Sequence, residues 1–565
     1  MFDLLGAALD RSLLFAAAAW RLAAVAALIA TAVRYGSEPA ARRVMHRLLR
    51  VLRRVPLWLP ALVSLAVNVA MFAGRGEPLP EVHDDYSQLL LADTLRMGRL
   101  ANPPHPFSRH FETMLALQHP AYASHFPPAS GVLMAATWIA FGLPILGLWI
   151  AGAAAAVAIA WAARAWLPRS WAMLTGLLVA CHPTVVIWGT SYAGGFVGFF
   201  AGALLAGACA RMARRATHAM AAVAAVALVI LANSRPFEGF VFAVAIAIAL
   251  SIFAPRAWPN VLRHSVAALL ILTAGAASIL IYNRAVTGNA LLLPHALYDR
   301  TYTPAPNFVW EPQKPPVVFP NEEMAMAFRS VYLAHDRLRR MPGGELRALR
   351  AKFDVARWTL FPRTSGNSAV GLASLLLYIP LLTAPHMLRR KRNRALVLVL
   401  AIFLIAPLIT AWWTSAHYLS PAGVIVATLY MLCFREMFVR WRAAGGTLAL
   451  AMLVMMLWLS GEAIVAETMR PQNPIEVQRR AIAAELQRLP GKDLILVPAG
   501  ISGCVFNAAD IDHAPVVWAR ELDAKTNAAL VRYFGERRVW RLEPAGARLR
   551  VRSESRVPPR PRPLP

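Results

Sequence analysis

ILGLWIAGAAAAVAIAWAA, residues 145–163, decides the fold. Nineteen residues without a charge, at 1.5 Å of helical rise each, reach about 28 Å, close to the ~30 Å of a bilayer's hydrocarbon core. A segment crossing lipid must satisfy its own backbone polar groups, so this run is read as a membrane-spanning helix. Runs of the same kind recur at 57–73, 171–188, 196–210, 220–232, 237–253, 265–282, 368–383, 395–412, 422–434 and 448–460. The chain therefore reads as an all-α polytopic membrane protein with about eleven transmembrane helices. A further apolar stretch, 13–33, carries Arg21 near its middle and reads either as a span or as an amphipathic helix on the membrane surface.

Composition agrees. Of 565 residues, 58% are hydrophobic and 16% charged, and mean hydropathy is +0.49; a soluble domain carries about 25% charged residues. The formal charge of +28 would suggest nucleic acid in a soluble protein, but the basic residues sit in short segments between apolar runs, where they set orientation, so no nucleic-acid partner is expected. With strict alternation, Arg42–Arg54, Arg164/Arg169, Arg211/Arg214/Arg215, Arg256/Arg263, Arg389–Arg394 and Arg440/Arg442 all fall on the cytoplasmic side, provided residues 128–142 lie flat at the outer surface. The chain divides into residues 1–54 (apolar helix and basic cytoplasmic segment), a transmembrane part 55–465 with exterior loops 74–142 and 283–366, a small exterior α/β domain 470–553 and a disordered tail 554–565. The pattern predicts helix 476–489, strands 494–498 and 516–519, helix 524–534 and strands 539–542 and 548–552.

No cleaved signal peptide is read at the N-terminus. Three of the four cysteines lie in apolar runs and only Cys504 in a soluble segment, so no disulfide is expected. No P-loop and no internal repeat is present, which argues against an ATP-driven pump and against a repeat-built transporter. His105, His110, His119, His125 and Glu112 in the first loop match no metal-ligand spacing and read as surface residues.

Polar residues collect at the outer ends of the spans: Asp84 and Asp85, Ser191 and Tyr192, Asn233, Arg235 and Glu238, Tyr282, Asn283 and Arg284, and His417 and Tyr418. Ionisable groups at membrane depth are costly, and several at one level point to a functional site. Charges at one end of the spans, rather than at their midplane, favour surface chemistry over transport.

Within this set, His83-Asp84-Asp85-Tyr86-Ser87 and Leu91-Ala92-Asp93-Thr94 follow the 57–73 span. His125-Phe126-Pro127-Pro128 opens a helix ending in Phe141-Gly142, and Asn233-Ser234-Arg235-Pro236-Phe237-Glu238-Gly239, Tyr282-Asn283, Thr287-Gly288-Asn289 and His417-Tyr418 follow. Over residues 57 to about 420 the chain resembles the glycosyltransferase C superfamily, which includes protein O-mannosyltransferases and the lipid A aminoarabinose transferase. The resemblance implies an enzyme of the inner (plasma) membrane that works at its periplasmic or exterior face. It would pass a sugar from a polyprenyl-phosphate donor to a glycan, lipid or protein acceptor, with inversion at the anomeric carbon. Asp84 maps onto the superfamily's first-loop acid and is expected to be the general base; Asp85 orients it or binds acceptor. Arg235 suits the donor phosphate because guanidinium grips phosphate bidentately, with Arg284 and His417 as further phosphate contacts. Glu238 is expected to hold Arg235 one turn away, with Tyr192, Tyr282 and Tyr418 in support. Several members carry another acid in the next exterior loop; residues 188–198 have none, so no metal or other cofactor is expected. The alternatives are a transporter or flippase of lipid-linked glycan, and a catalytically inactive member of the same fold.

Cysteines placed at Ser108, Gln313 and Ser553 are expected to react with an impermeant thiol reagent in intact cells. Protection of any one of these positions breaks the topology.

Overall fold

The computed structural model describes residues 38–315, 317–360, 375–411, 415–545 and 548–553. The apolar stretch 13–33 and the tail 554–565 lie outside them.

The first described helix, α1 (Glu38–Arg54), turns by 100° into α2 (Leu59–Arg75). After α2 the chain leaves the bundle as α3 (His83–Arg96), forms a two-stranded hairpin of β1 (Ala116–Leu117) and β2 (Ala123–Ser124), and returns through α4 (Ala129–Phe141). Then follow α5 (Ile145–Ala163), α6 (Arg169–Ala180), α7 (Pro183–Trp188), α8 (Phe196–Met212), α9 (His218–Ala232), α10 (Pro236–Phe253) and α11 (Val266–Thr287). After the second loop come α12 (Lys391–Phe403), a 3-10 segment Ala416–Ala422, α13 (Gly423–Arg440) and α14 (Arg442–Met469). The largest apolar core lies inside this bundle, around Met134, Ile159, Phe196, Phe242, Phe403 and Phe434.

Six described helical segments are long and apolar enough to cross a membrane, or seven if the bent α1–α2 pair is one span. The protein is a multi-pass membrane protein, but the expected count of about eleven is not reached. Helices 196–212 and 218–232 are apolar but shorter than 18 residues, as is 129–141. The expected span 171–188 breaks at His182–Pro183. Proline removes a backbone donor and pushes the preceding residue out of the helical region; His182 has ψ 134° and accepts from the Thr184 amide at 3.3 Å to start the next helix. Of the expected span 368–383, residues 375–383 are a 3-10 helix containing Pro380 and the rest is not described. In the second loop, residues 322–360 form helix Glu322–Ala327, a π-helical turn Phe328–Leu333, and helices Ala334–Arg340 and Gly344–Leu360. Pro342 and the left-handed Gly343 (φ 68°) separate the last two.

After α15 (Pro474–Gln487) the C-terminal part forms one four-stranded sheet in the order β4-β3-β5-β6. β3 (Asp493–Val497) runs parallel to both β4 (Val516–Arg520) and β5 (Arg538–Ala545), and β6 (Arg548–Ser553) closes antiparallel. With α16 (Ala524–Tyr533), these elements stand where the alternation of apolar residues places them.

One close approach positions the site. Gly198 and Gly202 of α8 let the 416–422 segment lie against that helix. A Cβ at Gly202 would stand 2.0 Å from the Pro421 carbonyl oxygen, and backbone cannot yield as a side chain can. Gly202→Ala is therefore expected to cost about 1–3 kcal/mol, read as a lower unfolding midpoint of the purified protein. An unchanged midpoint would show that this contact does not hold the segment.

Candidate functional site

The first turn of α3 sets three neighbouring side chains in three directions, since consecutive helical residues lie about 100° apart and share no face. Asp85 is the third helical residue and is buried. One of its oxygens accepts the amides of Glu81 (3.0 Å) and Val82 (3.4 Å), which initiates the helix. The other accepts the Ser191 hydroxyl (2.9 Å) and the amides of Tyr192 (2.8 Å) and Ala193 (3.1 Å) from the loop between α7 and α8. Burial pushes the Asp85 carboxyl up to about 6 against these donors. Its acceptor capacity is used in binding α3 to the bundle, which leaves it no lone pair for an acceptor substrate.

Asp84 differs. It is half-buried, accepts its own amide, and takes no other hydrogen bond among the described residues. Burial and the neighbouring Asp85 push its carboxyl up to about 6, while Arg235 pulls it down.

Arg235 caps α10 with non-helical dihedrals (φ −137°, ψ 70°). Its side chain therefore leaves the helix axis and runs past Gly198 to the Tyr418 ring, whose centroid lies 5.4 Å from the guanidinium carbon. Arg235 makes no ion pair among the described residues, so the expected Arg235–Glu238 pair does not form. Glu238 instead is buried within electrostatic reach of Tyr418. His417 stacks edge-on against Tyr418 at 4.6 Å and also lies within reach of Arg235. Asp84, Arg235, Glu238, His417 and Tyr418 thus form one cluster, each within electrostatic reach of Arg235 or Tyr418, which is the polar chamber of this site.

Three sequence candidates lie elsewhere. Arg284 is exposed on α11 and has no polar partner among the described residues. Tyr282 is buried and donates to the Phe126 carbonyl at 3.0 Å, fixing α11 to the His125–Pro128 step. Tyr192 is fully buried; its hydroxyl contacts Glu77 (3.2 Å) and the Pro78 carbonyl (2.9 Å) while its amide serves Asp85. Two chamber residues were missed. Asp299 and Tyr332 both lie within electrostatic reach of Tyr418 or Asp84. Asp299 is held by Asn307 (3.0 Å), Thr303 (3.1 Å) and His295 (3.2 Å). No sequence signal marked either residue, because both come from a loop that folds back over the bundle. The first-loop histidines scatter: His105 faces Asp512, His110 the Arg520 carbonyl and His119 the Ser108 hydroxyl. Among the described residues no group of three or more His, Cys, Asp or Glu converges to hold a metal.

Beside the chamber lies a cavity of about 660 Å³, walled by apolar residues such as Leu178, Val185, Leu400, Leu404, Val426 and Met456. Ser420 is also in its wall, and Ser420 and the stem of Arg235 both rest against Gly198. The apolar cavity therefore ends beside the stem of Arg235.

No family model matches the chain, and no curated protein does. Among solved structures, the Archaeoglobus fulgidus oligosaccharyltransferase in the apo form is similar at 12% identity and a TM-score of 0.48, covering 78% of this chain. This chain spans 62% of that protein's length. ArnT from Cupriavidus metallidurans is similar at 12% identity and a TM-score of 0.47, covering 86% of this chain and 92% of its own in the apo state. A second structure of ArnT, bound to undecaprenyl phosphate, covers 84% and 87%.

The division of labour between the two acids is testable by stability. Asp85→Asn replaces one accepting oxygen by a donor and strands backbone amides, at about 1–3 kcal/mol per unpaired group, so its unfolding midpoint is expected to fall clearly. Asp84→Asn is expected to keep the wild-type midpoint or raise it. Equal midpoints for both variants would remove the anchoring role of Asp85.

Proposed function

We propose that this protein is a membrane glycosyltransferase that passes a sugar from a polyprenyl-phosphate donor to a hydroxyl of a glycan, lipid or protein acceptor. One observation carries the reading. Among the described residues, a carboxylate without other hydrogen bonds, Asp84, lies within electrostatic reach of a cation without an ion pair, Arg235, whose stem lies beside an apolar cavity. An amphiphile with a phosphate head and an isoprenoid tail fits that arrangement: the tail in the cavity, the phosphate against Arg235, the sugar towards Asp84.

In this reading Asp84 takes the acceptor hydroxyl's proton as its oxygen attacks the anomeric carbon from the face opposite the phosphate. The bond to the phosphate oxygen breaks, and the lipid phosphate leaves with the electron pair. Inversion follows from the single displacement. Arg235 neutralises the growing phosphate charge through two parallel donors, aided by His417, and the reading assigns no metal ion. A carboxyl pushed up to about 6 remains ionised at neutral pH yet is basic enough to take a proton, which suits a general base. The active face is assigned to the exterior or periplasmic side of the inner membrane, opposite the arginine clusters.

The test begins with the lipid that co-purifies with the protein, identified by mass spectrometry and used as donor. Wild-type activity is expected to rise through pH about 6 as Asp84 loses its proton. Asp84→Asn is expected to lose roughly 10²–10⁴-fold in rate. Arg235→Ala should impair donor use far more than Arg235→Lys, which keeps the charge but not the fork. Full activity in Asp84→Asn overturns the assignment of the base, and near-wild-type activity in both Arg235 variants removes Arg235 from the phosphate site.

A further inference from the structure

The third of the three neighbouring residues, Tyr86, points away from both chamber and bundle, into the C-terminal unit. Its ring stacks on Phe506, with centroids 3.6 Å apart and planes 1° from parallel. Its hydroxyl donates to Glu476 at 2.7 Å. Glu476 is buried and pairs with Arg479 (2.7 Å) and Arg480 (3.2 Å), and the Arg479 guanidinium also lies 5.8 Å from the Tyr86 ring. On the other side of Asp84, the His83 ring faces the same Phe506 at 5.8 Å.

Further along α3 the same unit takes hold again. The Ala509 amide donates to Asp93 at 2.8 Å, and the Tyr122 hydroxyl donates to the Asn507 carbonyl at 3.2 Å. The segment before Phe506 also reaches the second loop: the Gly503 amide donates to Glu323 at 2.8 Å, and Arg520 pairs with the other Glu323 oxygen at 2.7 Å. Glu323 belongs to helix Glu322–Ala327, which runs through the π-helical turn to Tyr332 in the chamber. Both loops that face Asp84 are thus tied to one soluble unit.

We propose that the C-terminal α/β unit is a working part of the reaction site, with Phe506 and Glu476 as positioning residues that set the rotation of α3, and so the place of Asp84, through Tyr86. The proposal rests on the reading of Asp84 as the base. In this 14-residue helix Asp85 holds the first turn on one side and Asp93 is held further along; the hold on Tyr86, one residue and about 100° round from Asp85, fixes the rotation of the first turn. Misplacing a reacting group by about 1 Å costs on the order of 10²-fold in rate, so loss of the hold on Tyr86 falls on the chemical step. The donor, held by Arg235 and the apolar cavity, is unaffected.

The experiment uses the full-length protein with Phe506→Ala, Phe506→Tyr and Tyr86→Phe, and reads two quantities. Hydrogen exchange over residues 83–96 reports the hold on α3 without any assay of transfer; kinetics with the co-purified donor report the consequence. Phe506→Ala is expected to speed exchange in α3 and to lower kcat by about 10-fold or more with donor KM unchanged. Phe506→Tyr, which keeps the stacking face, should restore both. Tyr86→Phe, which loses only the hydroxyl bond to Glu476, should give a smaller loss of the same kind and serves if Phe506→Ala does not fold. Unchanged exchange in Phe506→Ala overturns the hold itself, and faster exchange with unchanged kcat overturns the positioning role. A rise in donor KM with kcat intact also overturns it. If the wild type transfers no sugar, the reading of function fails while the exchange arm still decides whether α3 is held.

Discussion

Everything at this site depends on the impossibility of three adjacent helical side chains sharing a face. Asp84, Asp85 and Tyr86 are forced outward at about 100° intervals, and each meets a different body: the chamber, the α7–α8 loop and the C-terminal unit. A strand would have put Asp84 and Tyr86 on one side and Asp85 on the other, leaving no way to aim one acid into a chamber between two anchors. Helix initiation itself is part of the device, because the anchoring carboxylate of Asp85 also accepts the amides that begin α3.

Burial then separates two acids of the same chemical type. Both carboxyls are pushed up to about 6, yet for one the burial is offset by hydrogen bonds on both oxygens and for the other chiefly by Arg235. An acid with its lone pairs used is an anchor; a half-buried acid that takes no hydrogen bond beyond its own amide among the described residues is available to a proton. The same contrast marks the cations. Arg339 and Arg520 are buried and Arg479 half-buried against carboxylates, and they hold loops together, whereas Arg235 lies against an aromatic face and makes no ion pair among the described residues. The glycines of α8 make this possible, since only a helix without side chains at 198 and 202 admits the 416–422 segment so closely.

The spans near 145–163 and 237–253, and the order of strands and helices after residue 476, could be read directly, because each is a local repeat of apolar residues at the helical or strand period. The span at 171–188 misled because hydropathy counts Pro183 as one more residue of an apolar run, while the backbone breaks there. The count of about eleven is not confirmed for a related reason: apolar content marks a run as buried, but helices 218–232 and 196–212 have only 15 and 17 residues. Arg235 and Glu238, one turn apart on paper, do not meet, because Arg235 stands outside the helix as its cap.

The sequence by itself determined that the chain is a multi-pass membrane protein. It also placed Asp84, Arg235, His417 and Tyr418 at the ends of apolar helices, where charge is costly and so rarely idle. Which of two neighbouring acids is free, and which tyrosines only brace the fold, was decided by tertiary structure. So were the entry of Asp299 and Tyr332 into the chamber and the hold of Phe506 and Glu476 on α3. The reason is range. A period of 3.6 or 2 residues is written within one element, whereas the Tyr86–Glu476 bond joins residues 390 apart, and no local pattern encodes the packing of loops that brings such partners together.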